Sequence, residues 1–248
     1  MSDSSLKSPK LRENKIFVII YRTFAFLLGI WGILATAGVF KNAFNPVTLL
    51  AYTVQSNIIV TMFFGILLVK TIRRKERQSA FLEKPYGFFP RLSMFVSLAI
   101  FITMLVDWFI LVPINVPRVS LLSLLAPDNL VVHLFMPLLM LADYIMFNER
   151  GKLKKYDTLL CLIIPCLYLL ETMPLGFAHA VSYISLGMDT SYPYPFLDVN
   201  KYGAWVILMV AGIMLFFFVL AFIWQLIDNK LEIKKEINCA VTVLVTDQ

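Results

Sequence analysis

Six apolar runs, at about residues 16–38, 47–71, 89–113, 128–148, 155–175 and 202–227, are each long enough for the ~20-residue helix that crosses a bilayer. Backbone groups in hydrocarbon must bond within the chain, so a run of this kind crosses as a helix. The expected fold is an all-α polytopic membrane protein, a six-transmembrane-helix bundle over 16–227. Residues 1–15 and 228–248 are expected to be its N-terminal and C-terminal tails. Composition agrees: 15% of residues are charged, against ~25% in a soluble domain. The first run follows Lys7, Lys10, Arg12 and Lys15 as a signal peptide's would. It exceeds a signal peptide's apolar core and lacks a small-residue cleavage site, so it is read as a retained helix. The short connections offer no soluble catalytic module, so chemistry is expected in the bundle or at its rim.

Almost every charge lies between the runs. Of the 22 Lys and Arg, all except Lys41, Arg118 and Lys201 fall on one side if successive runs cross in alternation. Arg22 is counted there with the N-terminal group. This bias predicts both termini in the cytoplasm. It also reads the basic clusters as topology signals and contacts for anionic headgroups, and the net charge of +6 as no nucleic-acid surface. Three Cys, with Cys161 and Cys166 inside one apolar run, form neither a disulfide framework nor a thiolate site. Two His cannot build a multi-histidine metal centre, and no cofactor or metal is expected.

The second run opens on a polar interruption, Tyr52-Thr53-Val54-Gln55-Ser56-Asn57. Polar groups in a membrane helix are costly unless they face partners or a cavity. Thr53, Ser56 and Asn57 are spaced i, i+3, i+4 and share one helix face, while Gln55 points elsewhere. With one side of the bundle fixed by charge, Thr53, Asp107, His133 and Glu171 come out about four to six residues below the outer ends of four helices, a common layer roughly 6 to 10 Å deep. A neutral imidazole in that layer can take the hydroxyl proton of Thr53 or Ser56, while a carboxylate holds its other nitrogen. Asn57 and a second amide can then stabilise an oxyanion. Glu171 is the shallowest of the set and reaches headgroup water. Asp143 lies toward the other end, as an orientation anchor or part of an inner polar network.

His179 competes with His133 for the histidine role, but sits in the outer connection where water is at hand. The same connection carries Tyr192-Pro193-Tyr194-Pro195-Phe196, which cannot be a spanning helix. It reads either as an interfacial aromatic belt or as a cap over a cavity. Gly29, Gly32 and Gly38 in the first run permit close helix approach.

Three places carry a family resemblance: Thr53 with Phe63-Phe64-Gly65 beyond it, His133 with Pro137 and Asp143, and Tyr194-Pro195-Phe196-Leu197-Asp198 with Gly203 beyond it. In these motifs, and over most of the chain in topology, the sequence resembles the androgen-induced membrane hydrolase family and its bacterial six-helix relatives. The resemblance implies a multipass hydrolase of fatty acid esters of hydroxy fatty acids, with Thr53 as nucleophile and His133 as base. In the animal members the histidine-to-proline spacing is one residue longer, a glutamate stands in the place of Asp143, and the segment matching Gln55-Ser56-Asn57 is less polar. The bacterial relatives are nearer in the His133-Pro137-Asp143 pattern, which implies a bacterial inner membrane.

The expected function is an intramembrane lipid ester hydrolase, with membrane lipids and a hydrophobic acyl ester as partners. Ser56, Asn57, Asp107, Glu171, Asp143 and Tyr194 support the site or line its pocket. A lipid acyltransferase would use the same residues with a lipid hydroxyl in place of water. A small transporter or ligand-binding protein would use Asp107, His133 and Glu171 to bind or relay protons, although no internal repeat accompanies them. A purely structural membrane component would use none. The sequence carries no signal for oligomeric state.

Overall fold

The structure, a computed structural model, describes residues 14–74, 86–115, 125–183 and 190–246. Six helices are long and apolar enough to cross a membrane: α1 Lys15–Thr36, α2 Tyr52–Arg73, α3 Pro90–Leu111, α4 Pro127–Phe147, α5 Asp157–Phe177 and α6, apolar over Trp205–Glu232. No strand occurs among the described residues. Helix α1 packs along α2 and against α4, α2 against α3, and α3 against α4, while α6 lies along α3 and the start of α5. Ala25, Phe63, Phe64, Leu67, Ile100, Met136 and Met140 fill the space between α1, α2, α3 and α4. Met94, Leu98, Ile102, Tyr144, Phe217 and Ala221 fill that between α3, α4 and α6.

The glycines of α1 set the helix spacing. A Cβ on Gly29 would fall 2.2 Å from Thr61 Oγ1 and one on Gly32 2.6 Å from Val131 Cγ1, so α2 and α4 come as close to α1 as a bare Cα allows. Gly38 has φ +80, beyond the end of α1, where the chain reverses.

Two boundaries differ from the sequence expectation. Helix α2 starts at Tyr52 rather than near residue 47, because Pro46–Leu50 forms a separate 3-10 turn capped by Asn45 and Ala51 is extended, with ψ 136. Thr53 therefore sits in the first turn of α2 and not several residues inside a helix. The helix that begins at Trp205 does not end near 227 but runs through Thr246. No Gly or Pro follows Gly212 to stop it. Asp228, placed by sequence at the head of a tail, is fully buried. It accepts from Tyr144 Oη at 2.9 Å, Arg150 at 3.1 Å and the Gly151 amide at 2.8 Å, so α6 is tied to the α4–α5 turn.

That end of the bundle, which holds the basic clusters and is called the basic end below, contains a second buried network. Arg22, read from sequence as a topology charge, is fully buried, and so is Asp143. Arg22 Nε donates to Asp143 Oδ1 at 2.8 Å, and its other nitrogens donate to Thr71 Oγ1 at 2.7 Å and the Tyr86 carbonyl at 2.9 Å. The guanidinium stands 5.0 Å from the Phe147 ring centroid. Asp143 thus belongs to a tie between α1, α2 and α4. Next to it, Arg91 Nε bonds Asp157 at 2.9 Å and the Lys154 amide donates to the same carboxylate, which fixes the start of α5 to α3.

Candidate active site

Helices α3 and α4 each contain one widened π turn, over Asp107–Leu111 and Val131–Phe135. Each is followed by a proline, Pro113 or Pro137, one residue beyond the amide that closes it. A proline inside a helix has no N–H to donate, and its ring collides with the carbonyl four residues back, here Phe109 or His133. Widening the turn relieves the collision and turns the side chains around it. The Met136 amide reaches back to Val131 O. The next nitrogen in that ladder, Pro137 N, has no hydrogen for Val132 O. Asn57 of α2 supplies the missing donor, its Nδ2 lying 3.0 Å from Val132 O.

The two π turns bring Asp107 and His133 together. His133 Nδ1 lies 3.4 Å from Asp107 Oδ2, with both side chains largely buried. The contact is not aligned as a hydrogen bond, and neither atom has another partner. With Nδ1 facing the carboxylate, Nε2 is the ring nitrogen left to accept a proton.

Thr53 lies on the next helix and is 8% exposed. The first amides of a helix have no partner within it, and Ala51 at the N-cap has no side-chain oxygen to offer those of Tyr52 and Thr53. Tyr194, from the outer connection, stands beside them: its phenol lies next to the Thr53 side chain and the backbone of Tyr52 and Thr53, with no hydrogen bond to either residue. Burial raises the phenol's pKa above its ordinary value, the nearby polar groups of Thr53 oppose the shift, and the Asp107 carboxylate adds to it. Tyr192 is fully buried against Gly176, where a Cβ would fall 2.1 Å from the ring. The Tyr192–Phe196 segment therefore turns inward as a cap, and the belt alternative is not what forms.

Under the cap is an apolar cavity of about 70 Å³, lined among others by Tyr52, Thr53, Thr103, Tyr168, Tyr194 and Phe217. Thr53 and Thr103 supply its hydroxyl groups besides the tyrosines. A groove of about 500 Å³ between α5 and α6 shares Leu169 and Val210 with this cavity, so the two meet at those side chains.

The residues expected in one layer fall into three groups. Thr53 and Tyr194 form the cavity wall. Asp107 and His133 pair with each other, do not line the cavity, and make no hydrogen bond to Thr53. Glu171 is exposed and accepts from Gln55 Nε2 at 2.8 Å, on the face of α2 turned away from Thr53. Two further expectations change. Asn57 Nδ2 donates to Thr53 O at 2.8 Å as well as to Val132 O, so both its hydrogens are committed and it is no free oxyanion donor. Ser56 Oγ donates to Thr53 O at 3.0 Å and lies 3.1 Å from Thr103 Oγ1, which joins α2 to α3. His179 is exposed, with φ +49, and its Nδ1 lies 3.0 Å from Ser191 Oγ, away from this site.

The π turns and the place of Tyr194 beside the start of α2 were not anticipated. The signal for the first is in the sequence: Pro113 and Pro137 within apolar runs, each a few residues past an ionisable side chain. Compared with family models, curated proteins and solved structures, the chain gives no match.

Proposed function

We propose that this protein is an intramembrane lipid ester hydrolase in which Thr53 is the nucleophile, His133 the general base and Asp107 the group that orients and charges-balances the imidazole. The observation that carries the reading is the position of Thr53: a hydroxyl in the first turn of a helix, at the wall of an apolar cavity, with unclaimed backbone amides beside it. The N-terminus of a helix favours negative charge, and amides pointing into a site of low dielectric stabilise an oxyanion. The Tyr194 phenol stands beside the Tyr52 and Thr53 amides, where a substrate carbonyl oxygen would have to lie. An ester that displaces the phenol would meet both amides and the Thr53 hydroxyl together.

Thr53 Oγ then attacks the carbonyl carbon and its proton passes to His133 Nε2, through a bridging water or a rotation of the ring, since the two side chains are not hydrogen-bonded to each other. The ester C–O bond breaks and the alcohol leaves with that proton. Water attacks the acyl-threonine in the second half, releasing the fatty acid and restoring Thr53. A lipid hydroxyl in place of that water would make the same site an acyltransferase. The charge bias assigns both termini to the cytoplasm, which puts Thr53 near the outer leaflet.

The acyl chain enters from the bilayer by way of the α5–α6 groove, past Leu169 and Val210. In lipid nanodiscs, hydrolysis of a p-nitrophenyl palmitate is expected, and Val210→Trp should slow it about tenfold, as a blocked approach misplaces the ester. The butyrate, short enough to enter without the groove, should be cleaved at an unchanged rate. Absence of hydrolysis of either ester by the wild-type protein would contradict the reading.

A further inference from the structure

The lipid-facing side of α2 carries a site unconnected with Thr53. Met62, Ile66, Val69 and Arg73 recur at i, i+4, i+7 and i+11 and form one stripe. Met62, Ile66 and Val69 are all exposed, Met62 by 63%. With Gly65 and Phe88 they wall a groove of about 660 Å³ that ends at Lys70, Arg73 and Arg74. Gly65 makes the groove: where a side chain would stand, the floor is the Phe26 ring, 3.1 Å from the place of its Cβ. From Met62 to Arg73 the helix rises about 16 Å, close to half the ~30 Å hydrocarbon core and therefore one leaflet.

Among the described residues, the cations at its end have no acidic partner. Lys70, Arg73 and Arg74 form no ion pair among the described residues, while the buried Arg22 and the partly exposed Arg91 and Arg150 each have a carboxylate. Instead, Lys70 Nζ stands 5.0 Å from the Phe89 ring centroid, and the Arg74 guanidinium 5.5 Å from that of Tyr86. A further cation is close, since Lys15 Nζ donates to the Arg74 carbonyl at 2.8 Å. Some of this charge faces the carbonyl end of α2, which favours it. That does not account for the apolar groove running one leaflet deep from the same cations.

We infer that this groove binds one anionic glycerophospholipid, its phosphate at Lys70, Arg73 and Arg74 and one acyl chain along Met62, Ile66 and Val69. A free phosphate would use the cations and leave the apolar stripe idle. A zwitterionic lipid would fill the stripe but bring its own cation to the same end.

The test is native mass spectrometry of the full-length protein, released from detergent after exposure to dioleoyl phosphatidylglycerol and dioleoyl phosphatidylcholine in equal amounts. The wild type should retain one phosphatidylglycerol in preference. Lys70→Ala and Arg73→Ala should each weaken that preference roughly fivefold, as expected for a cation at a membrane surface. Met62→Trp, a change at an exposed position, should reduce retention of both lipids with all cations in place. Retention without preference in the wild type, or a preference untouched by Lys70→Ala combined with Arg73→Ala, would overturn the inference. Millimolar inorganic phosphate that displaces the phosphatidylglycerol completely would also overturn it, by showing a phosphate site rather than a lipid site.

Discussion

Thr53→Ala is expected to abolish ester hydrolysis, and His133→Ala to lower it by about 10²- to 10⁴-fold, the usual contribution of a positioned general base. Steady-state rates in nanodiscs would measure both. The two losses should not add, because nucleophile and base act on one proton. Stability is the control. His133 Nδ1 and Asp107 Oδ2 make no aligned hydrogen bond, so alanine at 133 removes no buried bond and thermal unfolding in detergent should move little. Asp107→Asn keeps the shape of the pair but not its charge, and should give a rate between wild type and His133→Ala. Hydrolysis by His133→Ala within twofold of wild type would remove the imidazole from the mechanism.

The second large effect concerns folding. Asp143→Asn leaves Arg22 charged and fully buried at the basic end of the bundle, still bonded to Thr71 and the Tyr86 carbonyl but without its counter-charge. Breaking one side of such a pair costs about 3–5 kcal/mol, since the remaining charge has been taken from water and given nothing in return. Thermal unfolding in detergent should show a large drop for Asp143→Asn and for Arg22→Met separately. The double substitution Arg22→Met with Asp143→Leu should recover much of it, because no charge is then stranded. If the single changes are as stable as wild type, the pair is not the tie between α1, α2 and α4 described above.

The architecture was legible because hydrocarbon admits so few solutions: six apolar runs, each followed by charges, leave little but six helices. The finer placement was not. Counting residues from the ends of the runs put Thr53, Asp107, His133 and Glu171 at one depth, but that assumed an unbroken α-helical rise. Pro46 and the extended Ala51 move the start of α2 to Tyr52, and Pro113 and Pro137 widen the turns around Asp107 and His133. The outcome is a close Asp107–His133 pair and a Glu171 that turns to Gln55 instead. The i, i+3, i+4 face of α2 was readable. That Asn57 would spend both hydrogens on carbonyls was not, since the empty acceptor at Val132 exists only because Pro137 is folded into α4. Arg22 was misplaced for a related reason: charge counting treats each basic residue as facing water, and only the fold reveals that Asp143 meets it.

The most direct test of Thr53 as the nucleophile is covalent. Purified protein in nanodiscs would be exposed to a long-chain alkyl fluorophosphonate, and the adduct located by peptide mass spectrometry. One phosphonyl group on the peptide containing Thr53 is the expected result, absent from Thr53→Ala and strongly slowed in His133→Ala. Labelling that persists in Thr53→Ala, or that maps to Ser56 or to the His179–Ser191 pair, would contradict the assignment.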